Sequence, residues 1–256
     1  MLRFSIITVS YNSMATIGRT LDSVASQDWP AVEHLVIDGG SHDETLQIVK
    51  QRGTRVARLV SEPDDGIYDA MNKGVSLATG DVIAMLNADD YYADPEVLSR
   101  VARVFESNDV EAVFGDVTYF SADEPNHTVR RFNSGRFRPD RLSWGWMPAH
   151  PALFLRRTEF DRVGPFRTDL RIAGDFEFII RVFADGRIAR PVRWVYLPEV
   201  LTRMQTGGVS TRGLRSTLQL NREMIWALRS NGLPASWWRL LSRYPAKLLE
   251  FARVPR

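Results

Sequence analysis

Phe4-Ser5-Ile6-Ile7-Thr8-Val9 runs straight into Ser10-Tyr11-Asn12, and this junction between a short apolar run and a polar turn sets the reading of the chain around it. A run this short, rich in Ile and Val, reads as a buried strand. The same unit recurs. Glu33-His34-Leu35-Val36-Ile37-Asp38 turns at Gly39-Gly40-Ser41, Val56 to Val60 leads to Glu62-Pro63-Asp64-Asp65-Gly66, and Asp81-Val82-Ile83-Ala84-Met85-Leu86 leads to Asn87-Ala88-Asp89-Asp90. Helical spacing fills the intervals: Ile17, Leu21 and Val24 after the first strand, Leu46 and Val49 after the second, Tyr68 to Leu77 after the third, Pro95 to Phe105 after the fourth. Ser41 or Asp43 is placed to cap the second helix. Strands alternating with helices of about ten residues predict βαβ units on a parallel, Rossmann-like sheet, an α/β fold.

Beyond Glu111 the alternation stops. Ala112-Val113-Phe114, Val117-Thr118-Tyr119-Phe120 and Ala152-Leu153-Phe154-Leu155 are strand candidates, with an irregular stretch holding Trp144, Trp146 and Pro148 between the last two. A helix is expected over Phe176 to Phe183, with Phe176, Ile179, Ile180 and Phe183 on one side, and a longer one over Arg212 to Arg229. The change of pattern puts a boundary near residue 110, with the two halves sharing a continuous core. The chain is thus expected to divide into 1–110, 111–210 and a helical 211–256.

At 256 residues, 44% hydrophobic and 25% charged, the chain can bury a real core and has the composition of a soluble globular protein. No run reaches the roughly 18 apolar residues of a membrane-spanning helix, and Met1-Leu2-Arg3 enters the first strand without a signal-peptide pattern. Cysteine is absent, which removes disulfide and thiolate chemistry. A cytoplasmic protein is the expectation. The net charge of +2 is unevenly spread: from Thr211 onward nine Lys/Arg face only Glu223 and Glu250, so the first 210 residues carry −5.

Ligands of an open parallel sheet bind beyond the carboxyl ends of its strands. Four polar turns fall there, and together they predict one acidic cleft. Clustered carboxylates repel unless a cation or donors compensate. A hard divalent ion, Mg²⁺ or Mn²⁺, suits such oxygen ligands and bridges phosphates. There is no G-x-G-x-x-G and no G-x-x-x-x-G-K-[ST], which argues against dinucleotide dehydrogenases and P-loop enzymes.

Thr8-Val9-Ser10-Tyr11-Asn12, then Val36-Ile37-Asp38-Gly39-Gly40-Ser41 with Asp43 and Thr45, then Asp65-Gly66-Ile67-Tyr68-Asp69-Ala70-Met71-Asn72-Lys73-Gly74, then Leu86-Asn87-Ala88-Asp89-Asp90 occur in the order seen in family 2 glycosyltransferases, and over residues 4–184 the chain resembles that family. The resemblance implies the GT-A fold, with a nucleotide-sugar-binding half over 1–110 and an acceptor-binding half over 111–210. It implies that Tyr11 lies along the base and that Asp38 accepts from a uracil-type N–H. Asp65 and Lys73 would line the nucleotide pocket, with Thr8, Asn12, Asn72, Asn87 and Ala88 completing it. Asn87-Ala88-Asp89 stands where the family has Asp-x-Asp, so Asp89 is the implied metal ligand, with Asn87 replacing the first carboxylate. Ala173-Gly174-Asp175-Phe176-Glu177 resembles the acceptor-side segment, which makes Asp175 the implied catalytic base and Gly174 a departure from the usual acidic neighbour. Trp146, His150 and Glu177 are the acceptor-side candidates.

The implied activity is inverting transfer of a sugar from a nucleoside diphosphate, UDP above all, to a hydroxyl of a glycan or polyprenyl-diphosphate-linked acceptor. One carboxylate takes the acceptor proton, and a cation offsets charge on the departing diphosphate. Two other readings stand beside it. A non-catalytic sugar-nucleotide-binding protein is suggested by Asn87 and Gly174, and opposed by retention of Asp89 with Asp175. A sugar-1-phosphate nucleotidyltransferase would carry a Gly-rich, basic loop where this chain has Ser10-Tyr11-Asn12-Ser13. Each residue also has a plainer use: Asp38 and Asp43 suit a turn and a cap, Asp89 and Asp90 a solvated loop, Asp175 a helix cap, His150 a hydrogen-bonded structural position.

Gln205-Thr206-Gly207-Gly208-Val209-Ser210 resembles a Gly-Gly-x-Ser segment of some of these transferases and suits either a closing loop or a plain turn. In the tail, Arg239, Arg243 and Lys247 recur every four residues opposite Trp237, Leu241, Tyr244 and Leu248, and Pro245 should split the segment into two helices. Such a basic amphipathic segment either lies on an anionic membrane or packs on the domain. No motif suggests nucleic acid.

Overall fold

The opening apolar run becomes β1 (Phe4–Ser10), buried along its whole length. The computed structural model of the chain describes residues 1–184, 191–207 and 213–244. After β1 comes α1 (Ile17–Ala25), with Ile17, Leu21 and Val24 turned inward as the spacing predicts. Then follow β2 (Val32–Asp38), α2 (Thr45–Arg52), β3 (Val56–Ser61), α3 (Ile67–Leu77), β4 (Val82–Met85), the two-residue β5 (Tyr91–Tyr92) and α4 (Val97–Ser107). The second half supplies β6 (Ala112–Phe120), β7 (Thr128–Phe132), three 3₁₀ turns between Ser134 and Ala152, β8 (Leu153–Arg156), α5 (Arg157–Val163), α6 (Gly174–Ala184), β9 (Trp194–Gln205), α7 (Leu214–Ser230) and α8 (Trp237–Leu241).

Among the described residues the strands form a single sheet in the order β3-β2-β1-β4-β8-β6-β9-β5, with β7 on β6. The first four strands are parallel, as expected from the βαβ pattern. β8 then runs antiparallel to both β4 and β6, so it is a reversed strand inserted between two that run the same way. Alternate residues of β1 serve opposite faces: Ile7 and Val9 pack with Tyr68, Met71 and Phe176 under α3 and α6, whereas Phe4 and Ile6 pack with Val24, Val97 and Val101. α7 and α8 are not an appendage, because Met224, Ile225, Ala227, Leu228 and Leu240 enter the same core as Ile7.

The sequence reading does not foresee β5, β7 or α5, and two further departures have a clear physical cause. Ala112–Phe120 is one strand rather than two. Gly115 lies within it because a Cβ there would come within 2.5 Å of Leu201 Cγ on β9, and the register shifts at that point. β9 itself carries Pro198 and Glu199 mid-strand, an arrangement that hides it from a periodicity search. Beneath it the buried Asp116 accepts from Tyr196 Oη (2.9 Å), Ser134 N (2.9 Å) and Arg131 Nε (2.9 Å), tying β6, β7 and β9 together.

Candidate active site

Beyond the carboxyl ends of β1 and β4 lies an open cavity of about 950 Å³. One wall is Ser10, Tyr11 and Asn12, then Gly39, Asp64 and Gly66, then Asn87, Ala88, Asp89 and Asp90; residues of the second half, among them His150, Pro151, Arg171, Ile172, Asp175, Met204 and Gln205, complete it. The four polar turns therefore converge, and Asp89 and Asp175 line the same cavity.

The turns are held by side chains the sequence assigned to the ligand. Asp38 is fully buried and does not line the cavity. Its carboxylate accepts from Gly40 N (3.1 Å), Ser41 N (2.8 Å), Ser61 Oγ (2.8 Å), Ser10 Oγ (3.0 Å) and Ser41 Oγ. Burial pushes this carboxyl up, but the hydrogen bonds from Ser41, Ser61 and Ser10 outweigh it and hold the pKa below the ordinary value. Through these bonds Asp38 organises the loops at the ends of β1, β2 and β3. Thr8 is likewise sealed in the sheet, its Oγ1 2.9 Å from Nε2 of His34, whose own pKa burial lowers to about 3.

Four other residues expected at the site make contacts of their own within the protein. Asp65 is exposed outside the cavity, and the neighbouring Asp64 lines it instead, its Oδ1 accepting from Gly66 N (2.9 Å) and its carboxylate packed against Gly39. Lys73 Nζ donates to Pro63 O (3.0 Å) and pairs with Glu62 (3.0 Å) and Asp69 (3.4 Å), pinning the β3–α3 loop from outside. Asn72 donates to Phe166 O (2.9 Å) and accepts from Phe166 N (2.8 Å), a two-way bridge between the halves. Glu177 is buried in an ion pair with Arg181 (2.8 Å) and does not line the cavity.

Tyr11 stands exposed on the cavity wall. Asn12 adopts φ 47°, and its Oδ1 accepts from His42 N (2.9 Å), fixing the first turn against the second. Asn87 Oδ1 and Asp90 Oδ2 are buried oxygens without a hydrogen-bond partner. Burial and the neighbouring Asp89 push the Asp90 carboxyl well up. Unsatisfied buried acceptors are costly, and hard oxygen donors beside Asp89 are the donor set a divalent cation takes. These residues fit such an ion. Among the described residues no group of three or more His, Asp or Glu could hold one, so the remaining ligands would come from phosphate or water.

Asp175 opens α6 and borders both this cavity and a second one. Its Oδ1 accepts from Phe176 N (2.7 Å) and lies 3.5 Å from Tyr68 Oη, which donates to Ile172 O (2.8 Å). Burial pushes the carboxyl up to about 6, with the charge of Glu223 adding to the rise. It is thus an ionised base at neutral pH with a pKa near the working range. Gly174 is explained by the same packing: a Cβ would stand 2.7 Å from the Tyr68 ring. Sequence reasoning missed Glu223 on α7, whose carboxylate accepts from Arg171 N (3.2 Å), Ile172 N (2.8 Å) and Ala173 N (2.9 Å) and so holds the loop that presents Asp175. No local signal marks it, since its partners lie some fifty residues earlier in the chain.

His150 and Trp146 both line the second cavity. His150 packs edge-on to Phe166 (5.9 Å), and burial lowers its pKa to about 4, so the ring is neutral. Trp146 stacks on Phe132 at 6.5 Å. Of the Gly-Gly-x-Ser segment, Gln205 reaches the first cavity, while Gly208, Val209 and Ser210 lie outside the described residues. In the tail Arg243 is buried rather than solvated, so it does not share an exposed basic stripe with Arg239; Pro245, Lys247 and Leu248 lie outside the described residues.

The profile of Glycosyl transferase family 2 matches residues 5–164. A PGL/p-HBAD biosynthesis glycosyltransferase of Mycobacterium tuberculosis is 38% identical over 211 residues, 81% of this chain and 78% of the relative. The fold resembles that of S. aureus TarS 1-349, solved with UDP-GlcNAc, at a TM-score of 0.67 and 20% identity, covering 91% of this chain and 68% of that one. It also resembles a Pyrobaculum calidifontis mannosyltransferase solved with GDP-Man and Mn²⁺, at a TM-score of 0.64 and 19% identity, covering 100% of this chain and 76% of the other.

Proposed function

The chain belongs to glycosyl transferase family 2, and from that premise we propose that it transfers a sugar, with inversion, from a UDP-sugar to a hydroxyl of a glycan or lipid-linked acceptor, using a divalent cation. The observation that carries this reading is the shared cavity of Asp89 and Asp175, a cation-fitting group and a proton acceptor bordering one space at the strand ends. A carboxylate with a pKa near 6 takes the acceptor proton as oxygen attacks the anomeric carbon. Attack on the face opposite the leaving diphosphate inverts the anomeric centre. Asp89, with Asn87 and Asp90, would hold the cation, which when bound offsets charge on the diphosphate. Tyr11 and Asn12 border the nucleotide, with Asp64 in the position that Asp65 was expected to fill.

The bound UDP-GlcNAc of one structural neighbour and the Mn²⁺ of another support the donor and metal assignments. The naming of the Mycobacterium relative for PGL/p-HBAD biosynthesis supports an acceptor of that biosynthetic kind. Among the described residues no helix is long and apolar enough to cross a membrane. Exposed Trp237, Trp238 and Leu241 beside Arg239 support peripheral contact with an anionic membrane on its cytoplasmic side, which co-sedimentation of whole and tail-truncated protein with anionic liposomes tests. The central experiment is a thermal-shift panel of UDP, GDP, CMP and dTDP sugars with and without Mn²⁺. Metal-dependent stabilisation by the UDP class is expected; stabilisation by none of them removes the donor site.

A further inference from the structure

The second cavity, of about 250 Å³, adjoins Asp175 on the side away from the strand-end loops and contains a buried guanidinium that has no counter-ion among the described residues. Arg243, just beyond α8, is 5% exposed. Its Nη2 donates to Asn221 Oδ1 (3.0 Å), its Nη1 meets the Sδ of Met224 at 2.8 Å, and its Nε has no hydrogen-bond partner. The Tyr244 ring lies 5.3 Å from its Cζ. Among the described residues no carboxylate pairs with it. Burying a charge without a partner is costly, and native folds avoid it unless something else supplies the opposite charge. A thioether and an amide oxygen do not.

The rest of the lining says what body that charge would belong to. Trp146, Met147, Pro148, Phe176 and Met204 are apolar, so the cavity suits a hydrophobic segment. Guanidinium forks match the two oxygens of a carboxylate or phosphate. Among the described residues the only carboxylate in the lining is Asp175, whose charge drives an anion to another part of the cavity. Arg130, over the Tyr119 ring at 4.1 Å, also lines the wall.

We propose that the acceptor carries a carboxylate or phosphate on an apolar segment, and that Arg243 binds this anion while the acceptor hydroxyl lies toward Asp175. This rests on Asp175 being the acceptor-side base. A purely structural Arg243, linking Asn221 on α7 to the end of α8, would not discriminate between anionic and neutral ligands.

The test is calorimetric binding of octanoate, octyl phosphate and 1-octanol, below micellar concentrations and at fixed ionic strength, to the whole chain. At least one anion is expected to bind about tenfold or more tightly than octanol. A tighter octyl phosphate points to a lipid phosphate, and a tighter octanoate to a carboxylic acid. Arg243→Gln should erase the preference while leaving octanol affinity and the UDP-sugar thermal shift unchanged, and Arg243→Lys should keep part of it. Equal binding of all three by the wild type overturns the proposal, as does a folded Arg243→Gln variant that still prefers anions. Should Arg243→Gln fail to fold, the wild-type comparison and Arg243→Lys decide the matter. Failure of the glycosyl-transfer reading would register separately, as loss of the UDP-sugar response in the wild type.

Discussion

The two walls of the cavity, proposed above to take the donor and the acceptor, are built in different ways. On the donor side each functional turn directly follows its own strand, and neighbouring strands bring the turns together: Asn12 bonds His42, Asp38 bonds Ser10 and Ser61. On the acceptor side Asp175 is placed by groups far away in sequence, Tyr68 before it and Glu223 after it. A wall made of strand ends tolerates change at its rim but not at its bonded centre. A wall held by remote props should respond to substitution of residues that never meet substrate.

Replacing Asp175 with Asn tests the acceptor wall at its most sensitive point. Loss of a positioned base predicts a kcat fall of about 10²- to 10⁴-fold with donor affinity unchanged, measured by transfer rates beside calorimetry with UDP-sugar. Normal turnover would assign the base elsewhere. The same substitution carries a stability signature. The native pKa near 6 lies above that of an unfolded Asp, so the group's favourable contribution is present at low pH and is lost as pH rises through 6. Asp175→Asn should therefore raise Tm above pH 6 relative to wild type, and the gain should vanish below about pH 4.

The matching test of the donor wall is Asp38→Ala. It strips a buried acceptor from donors on three loops and is expected to cost roughly 3–5 kcal/mol in denaturant unfolding, by analogy with breaking a buried ion pair. Unchanged stability accompanied by weaker UDP binding would restore Asp38 as a ligand contact. Gly174→Ala should cost about 1–3 kcal/mol, because the new methyl meets the Tyr68 ring. A neutral result would mean that the two walls are less tightly coupled than the packing implies. The smallest effect is expected at Glu223. Its negative charge helps raise the Asp175 pKa, so Glu223→Gln should move the acidic limb of the kcat/KM profile to lower pH. A shift to higher pH contradicts that assignment.

This difference also explains what could be read without coordinates. Apart from the two-residue β5, the strands and helices up to α4 follow from periodicity because most of them bury residues at regular spacing, and the turns between them carry their own polar signature. Which member of a polar turn faces the ligand is a matter of backbone phase. Asp64 and Asp65 are indistinguishable in sequence, yet one lines the cavity and the other is exposed. Asp38, Asn72 and Lys73 carry polar groups within recognisable motifs, but those groups are spent on backbone and side chains of other segments. β9 was hidden by Pro198, and Glu223 by the absence of any local pattern for a cap supplied across half the acceptor region.

The Asn72–Phe166 bridge and the Tyr68–Ile172 bond start from one helix, a single turn apart, and both end on the segment leading to Asp175. α3 is therefore the spindle of the molecule: one rod ties the parallel strands it packs on to the segment that carries Asp175.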